Sequence, residues 1–199
     1  MLTLILVGGI GADAVGAHVA LGAGCRFDPS NDNDGLGIGY SSTNLNAARR
    51  DSTSASAGLW NRKLDLYNVN GVDPDLTIVS YSSSTRDIRV EFRNNLPANI
   101  GAQTTNWCSA GSNHYSQDPL FEWNNAATYY VNIARRREAL ATHELGHTFG
   151  LDHDNSTGCN QSNAGLLFHD AVAKSDLCNW VGPSIDDSLG ASSVHQGIY

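Results

Sequence analysis

His143-Glu144-Leu145-Gly146-His147-Thr148-Phe149-Gly150-Leu151-Asp152-His153 places three imidazoles and one carboxylate at fixed offsets. Two histidines four apart on a helix lie on one face about one turn from each other, so both can ligate a single ion. Glu144 follows the first histidine and is placed to reach a metal-held water rather than the metal. Gly150 can leave the helix with positive φ and return His153 as a third ligand. Three protein ligands leave a fourth position open, the catalytic rather than the structural zinc arrangement. Imidazole-held zinc lowers the pKa of its water from 15.7 toward about 7, and a neighbouring glutamate can take the proton as that water attacks a carbonyl. The competing reading is an amphipathic helix with two surface histidines and a loop histidine, which gives Glu144 no task.

These residues carry a family resemblance. His143-Glu144-x-x-His147-x-x-Gly150-x-x-His153 resembles the zinc-binding motif of the metzincin metalloendopeptidases, and Asp154 resembles the reprolysin (adamalysin) branch, with matrixin-like bacterial enzymes also close. The resemblance implies zinc on His143, His147 and His153, Glu144 as general base, and a protein or peptide substrate whose bond is hydrolysed by a glutamate-activated, zinc-bound water. It also implies a cleft between an edge strand and the zinc helix, where an extended substrate adds to the strand by backbone hydrogen bonds. The segment Gln103–Tyr115 is the expected rim. One departure is plain: metzincins place a methionine in a turn beneath the metal, and the sole methionine here is Met1. Gly165-Leu166-Leu167-Phe168 is the matching segment, with Leu167 in the methionine's place and Phe168 where some members carry a tyrosine ligand. Leucine keeps an apolar floor but not the adaptable thioether. Two rival classes stay open: a zinc-containing binding protein or toxin, and a zinc amidase acting on peptidoglycan-type substrates.

The rest of the chain suits export. It has 199 residues, 16% of them charged, with a net charge of −8. That length fits a single domain, and that charge disfavours a nucleic-acid partner. Leu2–Val7 and the small residues after it read as a signal-peptide core with cleavage after Ala14 or Ala17, though no basic residue precedes Arg26. The expected division is a signal peptide or its remnant at 1–24 and one zinc metalloprotease catalytic domain at 25–199, secreted, with no membrane span and acting as a monomer. Cys25, Cys108, Cys159 and Cys178 allow three disulfide connectivities. Cys159–Cys178 with Cys25–Cys108 is the favoured set, because it would tie down the segment under the zinc site and the N-terminus. No close Cys-x-x-Cys pair supports a cysteine zinc site.

Lesser signals are weighed against plain alternatives. Asp28-x-x-x-Asp32-x-Asp34-Gly35 resembles part of a calcium (Ca2+) loop but lacks a closing glutamate, so a polar turn is favoured. Asn155-Ser156-Thr157 and Asn160-Gln161-Ser162 are glycosylation sequons. Arg135-Arg136-Arg137 is expected to be a solvated face or a cleft rim. His18, His114, His169 and His195 have no ligand spacing.

The elements that must position the motif follow from patterning. Gly35–Ser42, Leu76–Ser82, Asp87–Phe92, Thr104–Ser109 and Thr128–Ile133 read as strands, with Ile88, Val90 and Phe92 facing inward. Asn44–Tyr67 reads as a helix with an apolar stripe from Leu45, Ala48, Ala55, Leu59, Trp60 and Leu64, weakened by Ser52–Ser56. The motif helix is expected from Ala134 to Phe149, and a short last helix near Ser188–Ile198. The fold class is α+β: a twisted, mostly parallel sheet with an edge strand, packed on two long helices in a metzincin-like catalytic domain, with an irregular C-terminal part ending in a helix.

Overall fold

The computed structural model describes residues 25–27, 35–67, 75–109, 114–129, 131–153, 158–159 and 171–196. The 1–24 segment, the calcium-like run at 28–34, Asp154, both sequons, the Leu167 turn, His18 and His169 lie outside those residues.

Five strands form one sheet: β1 (Leu36–Tyr40), β2 (Leu76–Val79), β3 (Arg86–Arg93), β4 (Ala102–Cys108) and β5 (Tyr115–Asn124). Their order is β2-β1-β3-β5-β4. All neighbours run parallel except β4, which pairs antiparallel with β5 and ends the sheet on that side. Four helices accompany them: α1 (Ala47–Tyr67), α2 (Ala134–Thr148), α3 (Ala171–Cys178) and α4 (Ile185–Gln196). The alternation in β3 is as expected, with Ile88, Val90 and Phe92 buried and the intervening side chains partly exposed. Those three meet Phe121 and Trp123 of β5, Trp60 and Leu64 of α1, and Leu145 of α2 in one apolar core. Both buried indoles have acceptors: Trp60 donates to the Thr142 carbonyl (3.0 Å) and Trp123 to the Thr53 hydroxyl (2.9 Å).

Three expectations are corrected. Helix α1 buries Arg49, Ser52, Thr53, Ser56, Ala57, Trp60 and Leu64, whereas Leu45, Ala48 and Ala55 are exposed. Small hydroxyl residues share its inner face with Trp60 and Leu64 and let it lie close to α2, where the Ser56 hydroxyl donates to the Glu138 carbonyl at 2.9 Å.

The described residues of Thr128–Ile133, 128–129 and 131–133, form no strand; they are turns and bends before α2. Two of the segment's carbonyls take guanidinium donors instead of a ladder: Arg136 reaches that of Tyr129 and Arg137 that of Val131, while Arg49 holds the Ala127 carbonyl just before the segment.

The strand beside β4 is instead Tyr115–Asn124, and α3 is a further helix the pattern did not announce. The basic run lies on the solvated surface and is also paired there. Arg135 and Arg136 both bind Asp176, at 2.9 and 2.8 Å, and so join the start of α2 to α3. Both favoured disulfides are present, Cys25–Cys108 and Cys159–Cys178.

Candidate metal centre

Helix α2 is buried without interruption from Ala139 to Thr148. Its neighbours hold it by its carbonyls as well as by apolar packing. Besides Ser56 and Trp60, Tyr115 of β5 donates to the Thr148 carbonyl (2.9 Å) and Asn106 of β4 to the His147 carbonyl (2.8 Å). The helix ends as the sequence predicts. Gly150 has φ of 85°, its N–H bonds to the His147 carbonyl (3.0 Å), and the Leu151 N–H returns to the Gly146 carbonyl (3.3 Å). Those two bonds make a Schellman cap. A Cβ at Gly150 would collide with the Cys25 carbonyl, so neither the dihedral nor the space admits another residue.

The cap turns the chain back toward the helix. Leu151 is buried, and its carbonyl accepts from His147 Nδ1 at 2.7 Å. A carbonyl cannot donate, so the proton sits on Nδ1 and Nε2 of His147 is left as a lone pair. The Asp152 carboxylate accepts the His153 N–H at 2.7 Å, closing the turn that presents the last imidazole.

The three Nε2 atoms meet. His147 lies 3.0 Å from His143 and 3.2 Å from His153, and His153 lies 3.2 Å from His143. Tetrahedral ligands at about 2.0–2.1 Å from zinc stand about 3.3 Å from one another, so the spacing fits one zinc ion with its fourth side open. Among the described residues this is the one cluster of three or more histidine, cysteine or acidic side chains that could hold a metal. His114 and His195 stand apart from it.

Glu144 is 4% exposed. Burial pushes its carboxyl up to about 7, and the Thr104 hydroxyl, 2.7 Å from Oε2, pulls the other way. Burial likewise pushes His147 down to about 4, favouring the neutral ring that a metal requires. A divalent cation at the three nitrogens would favour both the carboxylate and the neutral imidazoles.

A cleft of about 430 Å³ opens onto these groups. Ile100, Ala102 and Thr104 line it together with Leu140 of α2 and Ala171 and Val172 of α3. Among the described residues of the expected rim Gln103–Tyr115, Gln103 and Thr104 border the cleft, and the Asn106 side chain bonds to α2 instead. Thr104 lies within the expected rim, but its bond to Glu144 is what the sequence does not announce. A threonine at an alternating strand position carries no mark of what it will face.

No protein-family model matches the chain, and no curated protein matches it in sequence. Among solved structures it is similar to myroilysin, at 17% identity and a TM-score of 0.39, over 68% of this chain and 55% of that one. It is similar also to high choriolytic enzyme 1, a hatching-enzyme zinc protease from Oryzias latipes (medaka fish). There the identity is 12% and the TM-score 0.35, over 69% of this chain and 54% of the other. The chain therefore spans about half the length of each. Likeness at this level assigns neither a family nor an activity; the chemistry rests on the site.

Proposed function

We propose that the chain is a secreted, metzincin-like zinc endopeptidase, with zinc held by His143, His147 and His153 and Glu144 as general base. The observation that supports this most is the meeting of three Nε2 atoms within 3.2 Å in a cleft that also presents a buried carboxylate. A purely structural zinc site has four protein ligands and no need of such a carboxylate.

Zinc bound there would supply a Lewis acid that polarises the scissile carbonyl and acidifies water. The chain's own groups do the rest. Glu144 takes a proton from the attacking water and delivers it to the departing amine nitrogen. His147, fixed by the Leu151 carbonyl, keeps its lone pair aimed at the metal position. The side of β4 away from β5 has no partner among the described strands and borders the cleft, so an extended peptide can pair with it while its carbonyl approaches the histidines. The two disulfides fit an oxidising compartment. No helix among the described residues is long and apolar enough to cross a membrane.

The test is to incubate the purified chain with an unfolded protein, with and without a chelator, and then to restore zinc. Cleavage that the chelator stops and zinc restores is expected. One zinc per chain with no cleavage of several unfolded substrates would overturn the peptidase reading in favour of a zinc-binding protein. Release of amide-linked cell-wall fragments under the same conditions would favour the amidase.

A further inference from the structure

We propose that Thr104 is a positioning residue for Glu144, so that the strand bordering the substrate cleft also orients the base. This deepens the zinc endopeptidase reading and rests on it. The Thr104 hydroxyl lies 2.7 Å from Glu144 Oε2 and 3.0 Å from the Glu144 main-chain carbonyl oxygen. A hydroxyl has one proton, and the shorter contact is to the carboxylate, the stronger acceptor. Among the described residues it is the one side chain that donates to that carboxylate. The last torsion of a glutamate is broad and roughly two-fold, so burial alone leaves the plane of the carboxylate free to swing. Pinning Oε2 fixes that plane and leaves Oε1 free to face the cleft.

Thr104 can do this because it is itself held. Its β-branched side chain is stiff about χ1. Its backbone is in register with Phe121 of β5. On either side, Gln103 donates to Glu122 at 2.8 Å and Asn106 to the His147 carbonyl at 2.8 Å. Strand β4 is therefore fastened to β5 on one face and to α2 on the other, within four consecutive residues. A peptide lying along β4 would settle beside the hydroxyl that sets the base.

The experiment compares Thr104→Val, which keeps the shape and removes the donor, with Thr104→Ser, which keeps the donor. In the zinc-loaded full chain acting on a peptide substrate, Thr104→Val should lower kcat on the order of tenfold to a hundredfold with KM within about twofold. Zinc affinity, read by chelator competition, should stay within about threefold of the parent, and Thr104→Ser should recover most of kcat. In the metal-free chain, the thermal-midpoint shifts of Thr104→Val and Glu144→Ala should be non-additive, because the two changes remove one bond. Parental kcat in Thr104→Val, failure of Thr104→Ser to recover it, a parallel loss of zinc affinity, or additive midpoint shifts would each overturn the proposal. Should Thr104→Val not fold, Thr104→Ala is read against the same outcomes. A parent chain with no chelator-sensitive cleavage would sink the endopeptidase reading and this one with it; an active parent with an indifferent Thr104 would sink this one alone.

Discussion

His147 Nδ1 lies 2.7 Å from the carbonyl oxygen of Leu151, the residue just beyond the glycine that ends α2. The backbone turn thus decides which nitrogen of a proposed ligand is free to bind. Gly150→Ala should disturb both at once. A side chain at φ of 85° costs about 1–3 kcal/mol, and its Cβ meets the Cys25 carbonyl. Urea denaturation should show a loss of at least that size, and chelator competition a weaker hold on zinc. An unchanged zinc affinity would mean that the turn does not set the ligand.

The proposed tasks of Glu144 and the histidines are separable. Glu144→Gln preserves size and hydrogen-bonding reach but cannot take a proton at neutral pH. Turnover should fall by roughly 10²–10⁴ while zinc stays at its parental level, measured by metal analysis beside the cleavage assay. Loss of the metal together with the activity would show the role assignment to be wrong.

The Cys159–Cys178 bridge ties the segment after His153 to α3, and Lys174 of the same helix donates to the Gly158 carbonyl. Replacing both cysteines with serine should cost about 3 kcal/mol of stability, the value expected for a loop of this size. Because that segment follows His153 in the chain, zinc affinity should fall further than general stability requires. Equal affinity in the double variant would show that His153 is held from elsewhere.

Acid should weaken the fold through His195. Burial, and then the positive charge of Arg26, hold its pKa below the ordinary 6.5. The folded form therefore favours the neutral ring. Its contribution is present above pH 6.5 and falls as the pH drops below that value, where the unfolded chain takes up the proton first. The slope from this one group is at most about 1.4 kcal/mol per pH unit. His195→Gln should flatten the decline of the urea midpoint as the pH falls below 6.5, relative to the parent. An identical decline in both would remove His195 from the account.

The motif helix was legible because its ends are chemically marked: helix formers from Ala134 onward and a glycine at the stop. The alternation of β3 was legible for the same kind of reason. Strand β5 was not, because Asp118-Pro119 sits inside it. The fold accommodates that proline where the β4 pairing shifts between Thr105 and Trp107, away from a regular ladder. Thr128–Ile133 misled in the opposite sense. Its β-branched and aromatic residues have strand propensity, but Arg136 and Arg137 of the following helix take the Tyr129 and Val131 carbonyls, and a strand pattern does not register such donors. At the site, the histidines and Glu144 announce themselves by spacing, whereas Thr104 gains meaning only when β4 is laid against α2.

Gly150 packs against the backbone of Cys25, and Cys25 is bridged to Cys108 at the far end of β4. The turn between the second and third histidines is therefore completed by a residue made long before it. During synthesis from the N-terminus, residue 25 must wait until residue 150 has emerged. Contacts of such separation close late, since their loop entropy is lost before they return any stability. The chain would thus spend its assembly with His153 apart from the two helix histidines, and complete the candidate metal site only once both of its halves are in place.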